Sequence, residues 1–248
     1  MTESKLAVLI DADNVPYSNV REMLEEIAKY GTPTIKRIYA DWTKPTTSGW
    51  KNVLLENAIT PIQQYSYTSG KNSTDSALII DAMDILYAGR VDGFCIVSSD
   101  SDFTRLATRL REAGMTVIGF GEKKTPQPFI SSCDKFIYLE ILKTNTEKVK
   151  IASKTNNKKS KKEEESSKVD SKTIKIITES VNDLADESGW AFLGSLGSFI
   201  LKKKPDFDPR NYGFPKLLSL IKDLNRFDID ERETGSKNVR HIYLRLKS

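Results

Sequence analysis

A chain of 248 residues with 38% apolar side chains is long enough for one large domain or two ordinary ones, and apolar enough to build a packed core, which excludes a wholly disordered protein. No apolar run approaches the length of a membrane span, and the first five residues lack the charge and apolar segment of a secretory signal, so no membrane association and a cytoplasmic location are expected. A single histidine and two cysteines argue against Ser-His-Asp or Cys-His catalysis, multi-histidine metal centres and a disulfide framework, which leaves chemistry to carboxylates, hydroxyls and amines.

From the N-terminus, the apolar run Leu6–Ile10 predicts a buried strand, and Tyr17–Tyr30 a helix with Val20, Met23, Leu24 and Ile27 on one face and Gly31 as its C-terminal cap. The alternation continues with a strand over Thr34–Ala40, a helix over Trp50–Ala58, a strand over Pro61–Tyr65 and a nearly all-apolar helix over Asp75–Tyr87. Gly93–Val97 then predicts a buried strand, Asp102–Ala113 an amphipathic helix ending at Gly114, and Thr116–Phe120 another strand. Such alternation calls for an α/β domain with a mostly parallel sheet covered on both faces.

The formal net charge of +4 is unevenly placed. Residues 143–171 are almost devoid of apolar side chains and carry blocks of lysine followed by three glutamates, the composition of a flexible linker between a first domain, 1–142, and a second, 172–248. Its lysines are either a solvated spacer or a tether adding non-specific affinity for phosphates. Limited trypsin digestion is expected to cut there first and leave two stable fragments; one resistant core with the linker intact would refute the division.

In the second domain an amphipathic helix carries Ile174, Ile177, Val181 and Leu184, two further helices are separated by a basic break and a turn, and Asp228–Asp230 with Val239–Leu246 forms a hairpin around Gly235 and Asn238. Three helices and a wing predict a small winged-helix domain.

Ligands of doubly wound sheets bind beyond the carboxyl ends of the strands, and here those positions are acidic. The first strand runs into Asp11-Ala12-Asp13-Asn14, the strand ending at Val97 into Ser98-Ser99-Asp100-Ser101-Asp102, and the apolar helix opens with Ser73-Thr74-Asp75. Each residue alone also fits a local role, an Asx turn, a helix cap or a carboxylate at a helix N-terminus. Clustered, Asp11, Asp75, Asp100 and Asp102 would repel one another unless a cation is supplied, and an all-oxygen donor set suits Mg²⁺ or Mn²⁺. Asp81 and Asp84, further along the same helix, read as surface or supporting residues. The segment after Ala40 carries Trp42, Lys44 and Trp50, which suits base stacking and phosphate contact or, equally, packing under a loop. Lys71, before the Asp75 helix, is either a phosphate contact or an ordinary surface lysine.

The segments LIDADNVP, KNSTDSALIIDAMDIL and FCIVSSDSDFTRLATRLREAGMTVIGFG resemble the NYN domain, a relative of PIN-domain nucleases. The resemblance implies a Rossmann-like, PIN-like sheet and a divalent-metal site that hydrolyses RNA phosphodiesters to leave a 5′-phosphate. It gives Asp11, Asp75 and Asp100 the role of metal ligands and Asp102 that of a ligand or water-orienting group. It has Asn14 position Asp11 or contact substrate, with Ser98 and Ser99 shaping the loop and touching phosphate. The string GWAFLGSLGSFILKKKPDFDPRNYGFPKLLSLI resembles the OST-HTH, or LOTUS, domain, which implies RNA binding and, in some members, a protein partner. Lys202, Lys203, Lys204, Arg210, Tyr212 and Lys216 are the residues expected at an RNA contact, whereas Phe214 is expected in the core.

Together these features predict a Mg²⁺- or Mn²⁺-dependent ribonuclease with an appended RNA-binding module. Two alternatives stand beside it. One is a catalytically silent RNA adaptor; the other is a haloacid-dehalogenase-like phosphatase, which also follows a strand with Asp-x-Asp but would want Gly-Thr where Asn14-Val15 stands.

Overall fold

The computed structural model describes residues 3–65, 73–142, 169–233 and 240–247. Its contacts divide the chain into two compact units, Met1–Asn157 and Lys158–Ser248. Lys71, most of the expected linker (143–168) and the turn residues Gly235 and Asn238 lie outside the described residues.

The first unit is built on six strands: β1 (Lys5–Asp11), β2 (Thr32–Ala40), β3 (Thr60–Gln63), β4 (Gly93–Val97), β5 (Thr116–Gly121) and β6 (Lys135–Tyr138). All pair in parallel, in the order β3-β2-β1-β4-β5-β6. Alternate residues of β1 feed separate cores. Val8 and Ile10 pack with Met23 and Ile27 of helix α1 (Val20–Ile27), while Ala7 and Leu9 pack with Leu78 and Ala82 of α3 (Ser73–Ala88) and Leu110 of α4 (Thr104–Glu112). Burial on both faces is why β1 and β4 read as continuous apolar runs rather than alternating ones. Helices α2 (Trp50–Asn57) and α5 (Gln127–Ser132) and the helical residues 139–142 add to these layers. The chain moves outward from β1 through β2 to β3, returns to β4 and moves outward the other way, so strand order reverses between β1 and β4. A crevice opens there at the carboxyl ends.

The expected elements are all present in this unit, with departures: the helix expected from Asp102 begins at Thr104 after a 3-10 turn, and the strand expected over Pro61–Tyr65 runs Thr60–Gln63. Tyr17–Asn19 is a 3-10 turn, so α1 begins at Val20 and ends at Ile27 rather than reaching Tyr30. Gly31 is no helix cap: a Cβ there would lie 2.3 Å from the Ser4 carbonyl oxygen, so glycine is required by close approach of two backbones. Gly114, by contrast, has φ +81° and ends α4 as expected. Gly31→Ala is expected to cost about 1–3 kcal/mol, read as a lowered unfolding midpoint of the first unit, because the Ser4–Thr32 backbone contact has to shift. Finally, α5 and β6 carry too little periodicity to stand out, being six and four residues long.

The second unit contains α6 (Ser171–Leu184), α7 (Leu193–Lys203) and α8 (Leu217–Leu224), with β7 (Ala191–Phe192), β8 (Phe227–Glu233) and β9 (Arg240–Leu246) in an antiparallel sheet of order β7-β9-β8. Asp170 caps α6, accepting from the Thr173 amide at 2.9 Å and its hydroxyl at 2.7 Å. Ile177, Val181, Leu196, Ile200, Leu220 and Leu244 form the core, and Phe214 packs against it as expected. β7 was hidden inside a run that reads as turn and helix; only its pairing with Tyr243 and Leu244 makes it a strand. Among the described residues no helix is long and apolar enough to cross a membrane.

Candidate functional site

The crevice between β1 and β4 holds the predicted carboxylates. One oxygen each of Asp75, Asp100 and Asp102 lies within 4.8 Å of the others. Local structure explains their placement. β4 leaves the sheet at Val97, and Asp100 then caps the 3-10 turn Ser101–Phe103 that leads into α4, its Oδ1 accepting from the Asp102 amide at 2.9 Å. Asp75 comes from the first turn of α3, on another element. Loss of solvent, followed by the charges of Asp11, Asp100, Asp102 and Asp13, pushes the Asp75 carboxyl up to about 6. Acidic groups this close are costly without a counter-charge.

Asp11 occupies a different position. It is only 1% exposed. Its Oδ2 accepts from Asn14 Nδ2 at 2.6 Å and from Ser98 Oγ at 2.8 Å, and its Oδ1 from the Asp13 amide at 3.1 Å. Burial raises its carboxyl from the ordinary range, and these three donors act against that rise. Asp11 therefore borders the triad as a buried charge held by Asn14 and Ser98. Ser98 Oγ also accepts from the Asp100 amide at 3.0 Å, which links the loops after β1 and β4, and Ser99 Oγ accepts from the Glu122 amide at 2.9 Å, which links those after β4 and β5.

Asp81 is more than a surface residue. On α3 it forms an ion pair with Arg37 and accepts from the hydroxyl of fully buried Tyr39, both on β2, whereas Asp84 is exposed. Tyr39 is the register partner of Asp11, so this clamp ties the helix carrying Asp75 to the strand beside β1. Helical spacing alone does not reveal it, because the partners lie 42 and 44 residues away.

After β2, Trp42 is partly buried and its indole N–H donates to the Ile62 carbonyl at 3.0 Å, while Lys44 is exposed. Trp50 is a core residue, 3% exposed, and meets Tyr17 edge to face.

In the second unit the basic residues are mostly engaged. Lys203 pairs with Asp183 at 2.6 Å and lies over the Phe199 ring, Lys204 pairs with Asp206 at 3.2 Å, and Arg210 binds Asp208 through Nε at 2.9 Å and Nη2 at 2.7 Å. Tyr212, expected at an RNA contact, is partly buried: its hydroxyl meets Thr173 at 3.0 Å and its ring packs with Phe207 and the core. Lys202 and Lys216 remain exposed.

Comparison with known proteins finds a family for each part of the chain. The family model of the NYN domain matches residues 5–140, and that of the OST-HTH/LOTUS domain matches residues 164–239. Among solved structures, a protein of unknown function from Vibrio parahaemolyticus is 22% identical, with a TM-score of 0.45, over 54% of this chain and 91% of its own. An uncharacterized protein from Nitrosomonas europaea is 30% identical, with a TM-score of 0.31, over 38% of this chain and 90% of its own. No curated protein sequence matches the chain. With the first match covering more than half of its length, the chain belongs to the NYN domain family of PIN-like nucleases, with an OST-HTH/LOTUS domain following.

Proposed function

We propose that this protein is a divalent-metal-dependent ribonuclease whose first unit cuts RNA phosphodiester bonds and whose second unit captures the RNA. The observation that carries this reading is the convergence of Asp75, Asp100 and Asp102, from two elements, within 4.8 Å at the point where strand order reverses.

The donor set fits Mg²⁺ or Mn²⁺. Octahedral ligand oxygens at about 2.1 Å from an ion lie roughly 3 to 4 Å from one another, so the three carboxylates need only a small closure to share one. Asp75, Asp100 and Asp102 would hold the ion together with Asp11, which Asn14 and Ser98 orient from the end of β1. A cation held there supplies an activated water and neutralises charge developing on the phosphoryl oxygens. The chain's own groups then set the geometry: Asn14 and Ser98 fix Asp11, Ser98 fixes the Asp100 loop, and the Asp100 carboxylate fixes the turn that presents Asp102. Lys44 lies on the loop after β2, at the carboxyl edge of the sheet, where a phosphate contact is expected, whereas Trp42 is bonded to the β3 residues Ile62 and Gln63 on the far side of β2. This placement disfavours a dehalogenase-like phosphatase, because Asp11, 1% exposed and bonded through both oxygens, is not presented as a nucleophile.

Incubation of the purified protein with labelled single-stranded and structured RNAs in Mg²⁺, Mn²⁺ or EDTA tests the proposal. Cleavage is expected with metal only, and Asp11→Asn is expected to abolish it; EDTA-sensitive activity undiminished in that variant would count decisively against the assignment. Asn14→Ala and Ser98→Ala are each expected to lower Mn²⁺ affinity about 10–100-fold, measured by calorimetry, because residues that orient a metal site's carboxylates contribute on that scale. RNA bound but left intact in every metal would favour the adaptor reading.

A further inference from the structure

We propose that Lys123, on the loop after β5, is a phosphate-binding residue that forms the far bank of the RNA path. The strand then crosses the carboxyl ends of the sheet from the Trp42–Lys44 loop, over the acidic cluster, to Glu122–Thr125. The inference rests on the ribonuclease reading and extends it to the course of the substrate.

The sheet order places β2, β1, β4 and β5 side by side. Three inter-strand steps separate the outer two, a span of about 15 Å. The acidic cluster lies in the middle of that span, and the loops after β2 and β5 stand on its two sides.

The loop after β5 is locked to the loop that carries Asp100. The Glu122 amide donates to Ser99 Oγ at 2.9 Å, and the Ser98 amide donates to the Phe120 carbonyl at 2.9 Å. Gly121 fits so closely between them that a Cβ would lie 2.6 Å from the Ser98 carbonyl oxygen and 2.7 Å from Thr125 Oγ1. Thr125 Oγ1 donates to the Glu122 carbonyl at 2.6 Å, and Glu140 accepts from the Lys123 amide at 2.8 Å. The two loops are thereby held in a single arrangement.

Within it the two lysines differ. The Lys124 ammonium is neutralised by Glu122 at 2.6 Å, whereas among the described residues no carboxylate pairs with the ammonium of exposed Lys123. Lys44, on the opposite side, is exposed and unpaired in the same sense. Without a bound metal, exposed Asp13 and the acidic cluster repel RNA phosphates, so a strand crossing the crevice is favoured by a cation at each flank. Lys44 and Lys123 lie on the loops at those two flanks, and the Lys123 backbone is held in place by the bonds just described.

The test compares the full-length chain with Lys123→Glu and with Arg90→Glu, a charge change of equal size at the opposite, amino end of the sheet. Binding of a fluorescein-labelled oligouridylate is followed by anisotropy in EDTA, where cleavage is excluded, over a series of salt concentrations. Lys123→Glu is expected to weaken binding about fivefold or more at moderate salt and to reduce the slope of log K against log salt by about 0.7, one phosphate contact; Arg90→Glu should move neither by comparable amounts. With metal, Lys123→Glu is expected to raise KM and leave kcat within about twofold, as for a group that grips substrate in ground and transition state alike. Binding by the parent protein with Lys123→Glu and Arg90→Glu indistinguishable overturns the inference alone. Failure of the parent protein to bind RNA at all overturns the ribonuclease reading with it.

Discussion

Asp100→Asn is expected to abolish RNA cleavage and, at the same time, to raise the unfolding temperature of the metal-free protein. Both effects have one cause. Asp75, Asp100 and Asp102 lie within 4.8 Å, a geometry useful for holding a cation and unfavourable without one. Residues that merely orient metal ligands contribute about 10–100-fold, so loss of a ligand should exceed a hundredfold or so. Asparagine still caps the turn before α4, so the loop itself should survive. In EDTA, differential scanning fluorimetry should show Asp100→Asn and Asp75→Asn melting above the parent. The pH dependence has a definite sign. The folded Asp75 carboxyl titrates at about 6, above its ordinary 3.8, so the metal-free native state loses stability as pH rises through that window and stays lower above it. Asp75→Asn should flatten the decline. Saturating Mn²⁺ should raise the parent's midpoint by roughly 5–10 °C and the Asp100 variant's far less. A variant that melts below the parent in EDTA, or that cuts RNA as well as the parent, would sink the assignment.

Truncation before Ser171 is expected to lower kcat/KM for long RNA by about tenfold or more while leaving kcat within about twofold. The first unit presents an acidic crevice, so its own attraction for a polyanion is modest, whereas a second unit on the same chain raises local substrate concentration without touching the reacting groups. Rates should therefore diverge at low RNA concentration and converge near saturation. The ion pairs of Lys203, Lys204 and Arg210 refine the expected mutational pattern: of the three lysines in the basic run, only Lys202→Ala should remove a readily available phosphate contact. Equal RNA affinity for the full and truncated chains at physiological salt would reassign the second unit to a protein partner.

The parts of this architecture visible in the residue pattern are those set by local chemistry. A fully buried parallel strand needs an unbroken apolar run, and a carboxylate directly after it lands at the sheet's carboxyl edge, so Leu6–Asp11 and Phe94–Asp100 announce both strand and site. What stays hidden depends on residues far apart in sequence. Asp11 reads as a ligand by its position, but the hydrogen bonds from Asn14 and Ser98 that orient its carboxylate do not show in the residue pattern. Asp81 is gripped by Arg37 and Tyr39, and Gly31 answers to the Ser4 carbonyl rather than to its own helix. Tyr212 and Arg210 sit in a stretch that looks basic and aromatic, but Thr173 and Asp208 claim their polar atoms.

The borders of the two sheets bear on how the protein behaves when crowded. In the first unit the outermost strands, β3 and β6, are only four residues each, and β3 contains Pro61, which has no amide hydrogen to offer. In the second, β7 is two residues long, and the other rim, β8, alternates acidic side chains with Arg232 between Glu231 and Glu233. Short, proline-bearing or highly charged rims are poor templates for another chain's backbone. Copies of this protein are thereby discouraged from joining strand to strand into fibrils, even though the strands at the centre of the first sheet are apolar enough to aggregate readily once exposed.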